Sequence, residues 1–288
     1  MMSWQHTDLS QWTLSTPEKH PTRATWLPGA ANGGIDFRPL LWQFETISLA
    51  QMADVALLRR TEMKYILSET QLYQALAALS AHYWVLDIEH IRLNEYQTLY
   101  FDTADFALYH RHHAGSGDRY KVRSRNYVDT NLSFLEIKHK INKNRTIKSR
   151  LPTPSLVTDL SADTNSFVQT HLPALGQTLE PKLWNEYHRM TLVSKYRTER
   201  LTLDVQVQFG GNGRYVALPG LTIAEIKQDH PRHDSDFIRQ MRAMNIRSTG
   251  LSKYCLGVTL LYPTVKHNNF KPKLRQIEKI ITPFGASK

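Results

Sequence analysis

Residues 119–127 read Arg-Tyr-Lys-Val-Arg-Ser-Arg-Asn-Tyr, and this stretch decides the fold. Side chains of a β-strand point to alternate faces, so a strand here places Lys121, Arg123 and Arg125 in one row. Buried charge is costly unless it is paired or bound to a ligand. The row therefore indicates either a binding surface for an anion or a solvated outer face of an ordinary sheet.

Two other segments repeat the pattern with a Glu-x-Lys spacing. Residues 134–140 read Phe-Leu-Glu-Ile-Lys-His-Lys, and residues 223–227 read Ile-Ala-Glu-Ile-Lys. Cationic rows with a few carboxylates among them favour a pocket for a polyanion and its metal ion. The charged residues that these strands would align are Glu136, Lys138, Lys140, Glu225 and Lys227.

Composition limits the classes of function without choosing one. The chain has 288 residues, 41% of them hydrophobic, which suits one large domain or one domain with tails. The formal net charge of +10 favours an anionic partner. Nucleic acid, an anionic membrane surface and phosphate-rich small molecules all meet this condition.

The single cysteine, Cys255, excludes an internal disulfide, and we expect it to be a buried structural thiol. No apolar run approaches the ~18–20 residues that span a bilayer. The polar N-terminus does not resemble a signal peptide. The sequence therefore predicts a cytoplasmic protein without a transmembrane segment.

The pattern of elements predicts an antiparallel, β-rich α+β domain. We expect residues 1–43 to form an extended arm, residues 44–262 the domain, and residues 263–288 a basic C-terminal tail. Strands are predicted over 60–67, 98–102, 107–112, 119–127, 132–141, 182–195, 200–208 and 221–228. Helices are predicted over 48–58, 69–80, 164–171, 234–245 and 251–261.

An ordered set of short motifs carries a resemblance to a known family. The set begins with Ile47-Ser-Leu-Ala-Gln-Met52 and Leu58-Arg-Arg-Thr-Glu-Met-Lys-Tyr65. It continues through Tyr100-Phe-Asp-Thr103, Lys121-Val-Arg-Ser-Arg125 and Phe134-Leu-Glu-Ile-Lys138. It ends with Thr146-Ile-Lys148, Tyr187-His-Arg189, Arg200-Leu-Thr-Leu-Asp204, Ala224-Glu-Ile-Lys227 and Ser252-Lys-Tyr254. In this order the motifs resemble the vacuolar transporter chaperone (VTC) domain, a branch of the triphosphate tunnel metalloenzymes (CYTH-like proteins).

The resemblance implies an eight-stranded antiparallel β-barrel whose charged interior forms a tunnel. It also implies binding of ATP and inorganic polyphosphate with Mn²⁺ or Mg²⁺, and transfer of the γ-phosphoryl group of ATP to a growing polyphosphate chain. Eukaryotic relatives carry membrane helices, whereas this sequence predicts none. We therefore expect any coupling of synthesis to translocation of polyphosphate to need a separate membrane partner.

The resemblance assigns roles to individual residues. It implies phosphate contacts from cations, which we treat as catalytic: Lys64, Arg123, Arg125, Lys138, Lys148, Arg189, Lys227 and Lys253. Substrate contacts are expected from Tyr187, Ser252 and Lys121, and metal contacts from Glu225 first, then Glu62 and Glu136. Arg60 stands where the wider superfamily has the first Glu of a Glu-x-Glu-x-Lys motif, which removes one metal carboxylate.

Several residues keep a second interpretation. Asp204 faces the tunnel or pairs with an arginine. The run of His110, His112 and His113 lacks the further ligands that a metal site needs. We expect the remaining basic residues of this region to be solvated or at the tunnel mouth: Lys140, Lys143, Arg145 and Arg150.

Other functions remain open on the sequence alone. A triphosphatase would use water in place of the chain end. A module that binds polyphosphate without turnover is the non-enzymatic alternative. Nucleic-acid binding predicts aromatic side chains between the basic ones, and the basic strands have few, so we expect no nucleic-acid partner.

Overall fold

The computed structural model describes residues 14–15, 34–54, 61–141, 145–173, 175–231 and 234–281. The described residues contain eight α-helices: α1 (Arg38–Leu41), α2 (Leu49–Asp54), α3 (Glu69–Leu79), α4 (Ala107–His113), α5 (Ala162–His171), α6 (Asp236–Ala243), α7 (Lys253–Leu261) and α8 (Lys271–Ile281). They also contain twelve strands: β1 (Leu14–Ser15), β2 (Thr46–Ile47), β3 (Thr61–Ser68), β4 (Tyr83–Leu86), β5 (Asn94–Asp102), β6 (Arg119–Tyr127), β7 (Leu132–Ile141), β8 (Arg145–Thr153), β9 (Glu180–Ser194), β10 (Glu199–Gly211), β11 (Arg214–Leu218) and β12 (Leu221–Gln228).

Eight strands form one continuous antiparallel wall in the order β3-β12-β10-β9-β5-β6-β7-β8. The long strand β10 pairs with β12 along its first half and with β11 along its second, and an irregularity between Val205 and Gln208 separates the halves. This architecture confirms the predicted α+β, barrel-like fold.

The two end strands of the wall are β3 and β8. No backbone pairing joins them within the described residues, so hydrogen bonds do not close the sheet there. An ion pair spans the gap instead, since Lys138 Nζ on β7 lies 3.8 Å from Glu62 Oε2 on β3. The wall therefore curls around a charged interior.

The apolar core lies on the outside of the wall, beneath the helices. Leu135 and Ile137 of β7 pack with Val168 and Leu172 of the α5 region. A second cluster joins β3, β10 and β12 to α3 and α6. Since alternate residues of each strand enter this outer core, the residues between them face inward.

A third apolar cluster covers one end of the interior. Ile66 and Ile223 lie two residues beyond Lys64 and Glu225 on the same face of β3 and β12, and they pack with side chains of α7 and α8. Gly257 of α7 allows this approach, because a Cβ there would lie 2.5 Å from Leu183 Cδ2. The charged interior therefore gives way to an apolar layer at that end.

Most predicted strands and helices are present with small shifts at their ends, but the strand predicted over 107–112 is wrong. Those residues form α4, because the buried carboxylate of Asp102 accepts hydrogen bonds from the backbone N–H groups of Leu108 and Tyr109, each at 2.8 Å. Together with Thr103 Oγ1, which accepts from Ala107 N at 2.8 Å, Asp102 supplies acceptors for the helix N-terminus.

Several segments have more regular structure than their sequence predicts, including the strands β4 and β11. Residues 145–153, which we did not predict as a strand, form β8, and its Pro152 is tolerated because β8 is an edge strand. Residues 271–281 of the C-terminal segment form α8, with Leu274 and Ile277 buried. Within the N-terminal segment, α1 buries Leu40 and Leu41.

Candidate functional site

The strand register brings the predicted phosphate-binding residues onto one inward surface, which we call the charged face. Arg123 of β6 lies opposite Glu136 of β7, and Glu136 lies opposite Arg150 of β8. Lys121, Lys138 and Lys148 form the next row across the same strands. Directly opposed residues share a face, and the remaining members on β3, β9, β10 and β12 are Glu62, Lys64, Tyr187, Arg189, Asp204, Glu225 and Lys227.

Glu136 organises three cations and has no free acceptor site. Its Oε2 accepts from Arg123 at 2.6 and 2.8 Å, and its Oε1 contacts Lys148 at 2.6 Å and Arg150 at 3.0 Å. Burial alone would raise the pKa of this carboxyl, but Arg123, Arg125 and Lys148 hold it well below its usual range. A carboxylate whose oxygens are saturated by donors is a poor metal ligand.

Asp204 forms a second buried ion cluster. It accepts from Arg189 Nε at 2.6 Å and from Nη2 at 2.8 Å, and Lys253 contacts its Oδ2. Burial raises the pKa of Asp204, yet Arg189 and Lys253 outweigh it and the pKa is lowered to about 2. Asp204 thus faces the interior and pairs with an arginine at once, so both interpretations from the sequence hold.

Glu225 differs because each of its oxygens contacts one lysine. Lys64 lies 2.9 Å from Oε2, and Lys227 lies 2.9 Å from Oε1. Burial raises the pKa of Glu225, but the two lysines hold it well below its usual range. One acceptor site remains on each oxygen. Glu62 lies nearby on β3, where it is loosely held by Lys138.

These two carboxylates fit a hard divalent cation better than Glu136 does. Mg²⁺ and Mn²⁺ sites in phosphoryl-transfer proteins use one or two carboxylates and leave other positions to phosphate oxygens and water. No group of three or more His, Cys, Asp or Glu side chains arranged to hold a metal lies within the described residues. A metal here would therefore be shared between Glu225, Glu62 and the substrate.

Two cations of the charged face have no carboxylate partner among the described residues. Arg125 is buried and donates to Thr98 Oγ1 at 3.2 Å. Burial lowers the pKa of Lys121 to about 7, and the charges of Lys64, Lys138 and Arg123 add to this effect. An anionic ligand stabilises the charged form of a buried cation most when no carboxylate of the protein already does so.

Aromatic side chains pack against cations of the charged face. Tyr96 and Tyr187 are stacked with ring centroids 5.2 Å apart, and the Arg189 guanidinium carbon lies 4.9 and 5.2 Å from the two centroids. Lys253 Nζ lies 4.3 Å above the Tyr187 ring. These cation–π contacts fix the direction of the cations.

Tyr187 also carries an unsatisfied donor. Its hydroxyl is buried and finds no hydrogen-bond partner within the described residues. Burial raises the pKa of this phenol, so it stays protonated at neutral pH. Buried polar groups are nearly always paired in proteins, so the orphan hydroxyl is a donor that an external acceptor would satisfy. The cations of Arg125, Arg189 and Lys253 lie against the ring of the same tyrosine.

Helix α7 brings Ser252 and Lys253 to the charged face. Ser252 Oγ caps the helix by accepting from Cys255 N at 3.2 Å, which leaves the Ser252 O–H as a donor. Tyr254 donates to the buried Asp102, which ties α7 to β5 and α4. Burial lowers the pKa of Lys253 to about 8 although Asp204 opposes the shift.

The structure places several other residues in or out of the site that the sequence predicts. His112 and His113 belong to α4, and His113 packs against Tyr109 and Phe270 in a structural role. Arg150, expected to be solvated or at the mouth, lies on the charged face against Glu136. Arg60 and Lys143 lie outside the described residues. Sequence reasoning missed Tyr96, although its alternation with Thr98 and Tyr100 on β5 provided a signal.

The fold and this charged interior define a triphosphate-tunnel protein. A family model for the VTC domain matches residues 59–262, so the chain belongs to the VTC domain family. A comparison with curated protein sequences finds no significant match.

Solved structures with a similar fold share little sequence with the chain. One is the candidate adenylyl cyclase HpAC1 from Hippeastrum, described as having a dominant triphosphatase activity, at 15% identity, covering 70% of this chain and 96% of that chain, with a TM-score of 0.46. A candidate adenylate cyclase from Bacillus halodurans has 13% identity over 66% and 92% of the two chains, with a TM-score of 0.44. A conserved protein from Pyrococcus furiosus has 10% identity over 68% and 99%, with a TM-score of 0.39.

The described residues contain no helix that is both long enough and apolar enough to cross a bilayer.

Proposed function

We propose that this protein is a metal-dependent polyphosphate polymerase, which transfers the γ-phosphoryl group of ATP to the end of an inorganic polyphosphate chain. The observation that supports it most is the orphan hydroxyl of Tyr187, whose ring contacts the cations of Arg125, Arg189 and Lys253. Lys121, elsewhere on the charged face, also lacks a carboxylate partner among the described residues. Donors and cations without internal acceptors suit the many oxygens of a triphosphate.

The proposed chemistry depends on positioning and charge more than on a covalent protein group. Arg123, Arg125 and Arg189 bind phosphate oxygens, and their aromatic and carboxylate contacts hold them in place before the substrate arrives. The lysines neutralise the charge that builds up around the γ-phosphorus. A divalent cation at Glu225 and Glu62 would supply further neutralisation of the triphosphate.

The transfer step needs no general base. An oxygen of the terminal phosphate of the chain, already anionic, forms a bond to the γ-phosphorus. The bond between the γ-phosphorus and the oxygen bridging to the β-phosphate breaks, and ADP leaves with that electron pair. The chain gains one phosphate, and no proton transfer is required.

The experiment is an incubation of the purified protein with ATP and Mn²⁺ or Mg²⁺, followed by gel separation and quantification of free phosphate. The proposal expects acid-labile polymer and ADP, with little orthophosphate. Arg125→Ala, which should bind ATP more weakly, serves as the matched control and should form less polymer at the same ATP concentration. Orthophosphate released in step with ADP at every metal and primer concentration would instead establish a triphosphatase.

A further inference from the structure

A cavity of about 250 Å³ lies outside the charged face, between α1 and the turn that precedes β5. Of the seven described residues that line it, three are basic, four are apolar and none is acidic. The basic ones are Arg38, His90 and Arg92. Such a lining favours a ligand that combines an anionic group with an apolar part.

The cavity borders the outer apolar core. Leu41 and Leu93 of its lining pack in the cluster that joins β3, β10 and β12 to α3 and α6. No residue of the charged face is among the lining residues. A ligand in the cavity therefore does not occupy the place of a triphosphate in the interior.

Trp42 and Arg92 form one wall of the cavity. The Arg92 guanidinium carbon lies 4.0 Å from the centroid of the Trp42 ring. Arg92 Nε donates to Asp87 Oδ2 at 2.9 Å, and Nη1 donates to the Leu41 carbonyl oxygen at 2.9 Å. Trp42 nevertheless stays 57% exposed. An open aromatic ring that a fixed cation holds in place is a stacking surface for another flat ring.

The turn before β5 holds His90 in a backbone conformation that its residue type disfavours. Ile88 and Ile91 exchange two backbone hydrogen bonds, at 3.0 and 2.8 Å, and the residues between them, Glu89 and His90, have φ angles of 50° and 66°. Turns of this kind usually carry Asn or Gly at these positions. Asp87 Oδ1 accepts from His90 N at 2.8 Å, so the carboxylate that fixes the guanidinium wall also fixes the turn. Strained backbone is concentrated at binding sites.

Arg38 supplies an accessible cation at the cavity. Its side chain is 73% exposed, and its Nε donates to Asp36 Oδ1 at 2.9 Å. Within the described residues, no hydrogen bond or ion pair occupies its other two guanidinium nitrogens. Arginine can offer these nitrogens to the oxygens of a phosphate group.

We propose that this cavity is a second ligand site, which binds a small aromatic anion of the nucleotide class. The base stacks on Trp42, and the phosphate contacts Arg38 and His90. Two basic residues favour a phosphate of about two negative charges over a single carboxylate. The volume lies below the ~300–1,000 Å³ of sites for drug-sized ligands, which suits a nucleoside monophosphate. The site does not depend on the polymerase proposal, because the charged face takes no part in it.

The test measures the binding of AMP by isothermal titration calorimetry, with and without saturating tripolyphosphate. Adenosine and inorganic phosphate serve as the two halves of the probe. Arg38→Met removes the exposed cation, and Trp42→Leu removes the ring. Tyr196→Leu is the matched control, because Tyr196 is 69% exposed and does not line the cavity. Thermal unfolding shows whether each variant is folded.

We expect adenosine and phosphate each to bind the wild type at least about tenfold more weakly than AMP does. Arg38→Met and Trp42→Leu should each weaken AMP binding at least about fivefold, and their tripolyphosphate affinity should stay within about twofold. Tyr196→Leu should change neither affinity. Saturating tripolyphosphate should leave the AMP affinity of the wild type unchanged, because the two sites are separate.

Absence of AMP binding to the wild type at about 10 mM would overturn the site. So would AMP binding that tripolyphosphate displaces and Arg125→Ala weakens, because AMP would then occupy the charged face. Wild-type AMP affinity in Arg38→Met would also overturn it, and this variant decides the case if Trp42→Leu does not fold. None of these measurements depends on turnover, so failure of the polymerase assay leaves them intact.

Discussion

Arg189 and Asp204 form a bidentate ion pair in the interior, with Nε–Oδ1 and Nη2–Oδ2 distances of 2.6 and 2.8 Å. Arg125, close to the same tyrosines, has no carboxylate partner among the described residues. The two arginines therefore differ in what their removal costs. Removing Arg189 leaves the buried charge of Asp204 with Lys253 as its remaining partner. Removing Arg125 takes away a cation, its hydrogen bond to Thr98 and its contacts with the Tyr96 and Tyr187 rings, but leaves no carboxylate unpaired.

The first prediction follows from this difference. Arg125→Ala should weaken triphosphate binding by about 1.5–3 kcal/mol, the range for hydrogen bonds to charged groups, and leave the unfolding temperature nearly unchanged. Arg189→Ala should weaken binding similarly and also destabilise the protein by up to about 3 kcal/mol. Calorimetric titration and thermal unfolding measure the two effects. Wild-type affinity in both variants would contradict the assignment of the charged face.

The second prediction separates a metal carboxylate from an organising one. Glu225→Gln should raise the metal concentration needed for half-maximal activity at least about tenfold, because a carboxylate charge near the cation is removed. Glu136→Gln should lower activity and triphosphate affinity without shifting the metal requirement, because Glu136 holds Arg123, Lys148 and Arg150. An unshifted requirement in Glu225→Gln would place the metal elsewhere, with Glu62 the next residue to test.

The third prediction concerns pH. Burial lowers the pKa of Lys121 to about 7 and that of Lys148 to about 8, so both lose protons as the pH rises from 7 to 9 in the free protein. Bound phosphate favours their charged forms, so the complex holds more protons. Triphosphate affinity should therefore fall across this window, and binding should take up protons.

Titration calorimetry in buffers of different ionisation enthalpy measures this proton uptake. Lys121→Met should remove the proton uptake that accompanies triphosphate binding near pH 7. The same lysines titrate lower in the folded protein than in the unfolded chain. These lysines therefore lower the free energy of unfolding most below pH 7. This penalty decreases as the pH rises toward about 10, the pKa of a lysine in the unfolded chain. Affinity that is independent of pH between 7 and 9 would refute this prediction.

The fourth prediction tests how α7 presents Lys253 to the charged face. Gly257→Ala places a Cβ 2.5 Å from Leu183 Cδ2 and 2.6 Å from Phe209 Cδ1, so either α7 or these two buried side chains must shift. Overpacking of this kind costs about 1–3 kcal/mol, which outweighs the helix propensity that alanine adds. We expect a lower unfolding temperature and weaker triphosphate binding. Gln169→Ala on the exposed side of α5 is the control and should change neither.

The sequence contains the alternation of charge that predicts the inward rows, because side-chain period is a local property of a strand. It does not contain the partner of each charge. Glu136 is saturated by Arg123, Lys148 and Arg150, whereas Glu225 keeps free acceptor sites. This difference depends on strand register and on burial. The resemblance ranks Glu225 above Glu62 and Glu136 as a metal ligand, but the physical reason for a difference between Glu225 and Glu136 is visible only in the contacts of the folded chain.

Helix α4 and strand β8 show why local signals fail at two places. The N–H groups at the start of α4 donate to Asp102 and Thr103, which precede the helix and are not in the usual N-cap position next to it. Strand β8 carries Pro152 and exposed side chains on both faces, so it lacks the apolar alternation of an interior strand. Pairing with β7 overrides that weak propensity.

The fate of the γ-phosphorus tests the central claim most directly. A ³¹P NMR time course of the protein with ATP, Mg²⁺ and a short polyphosphate primer follows every phosphorus species at once. If the protein is a polymerase, the γ signal of ATP declines while mid-chain polyphosphate and ADP signals grow together, and orthophosphate stays low. Growth of orthophosphate in step with ADP, with no mid-chain signal, would contradict the account and assign the charged face to hydrolysis.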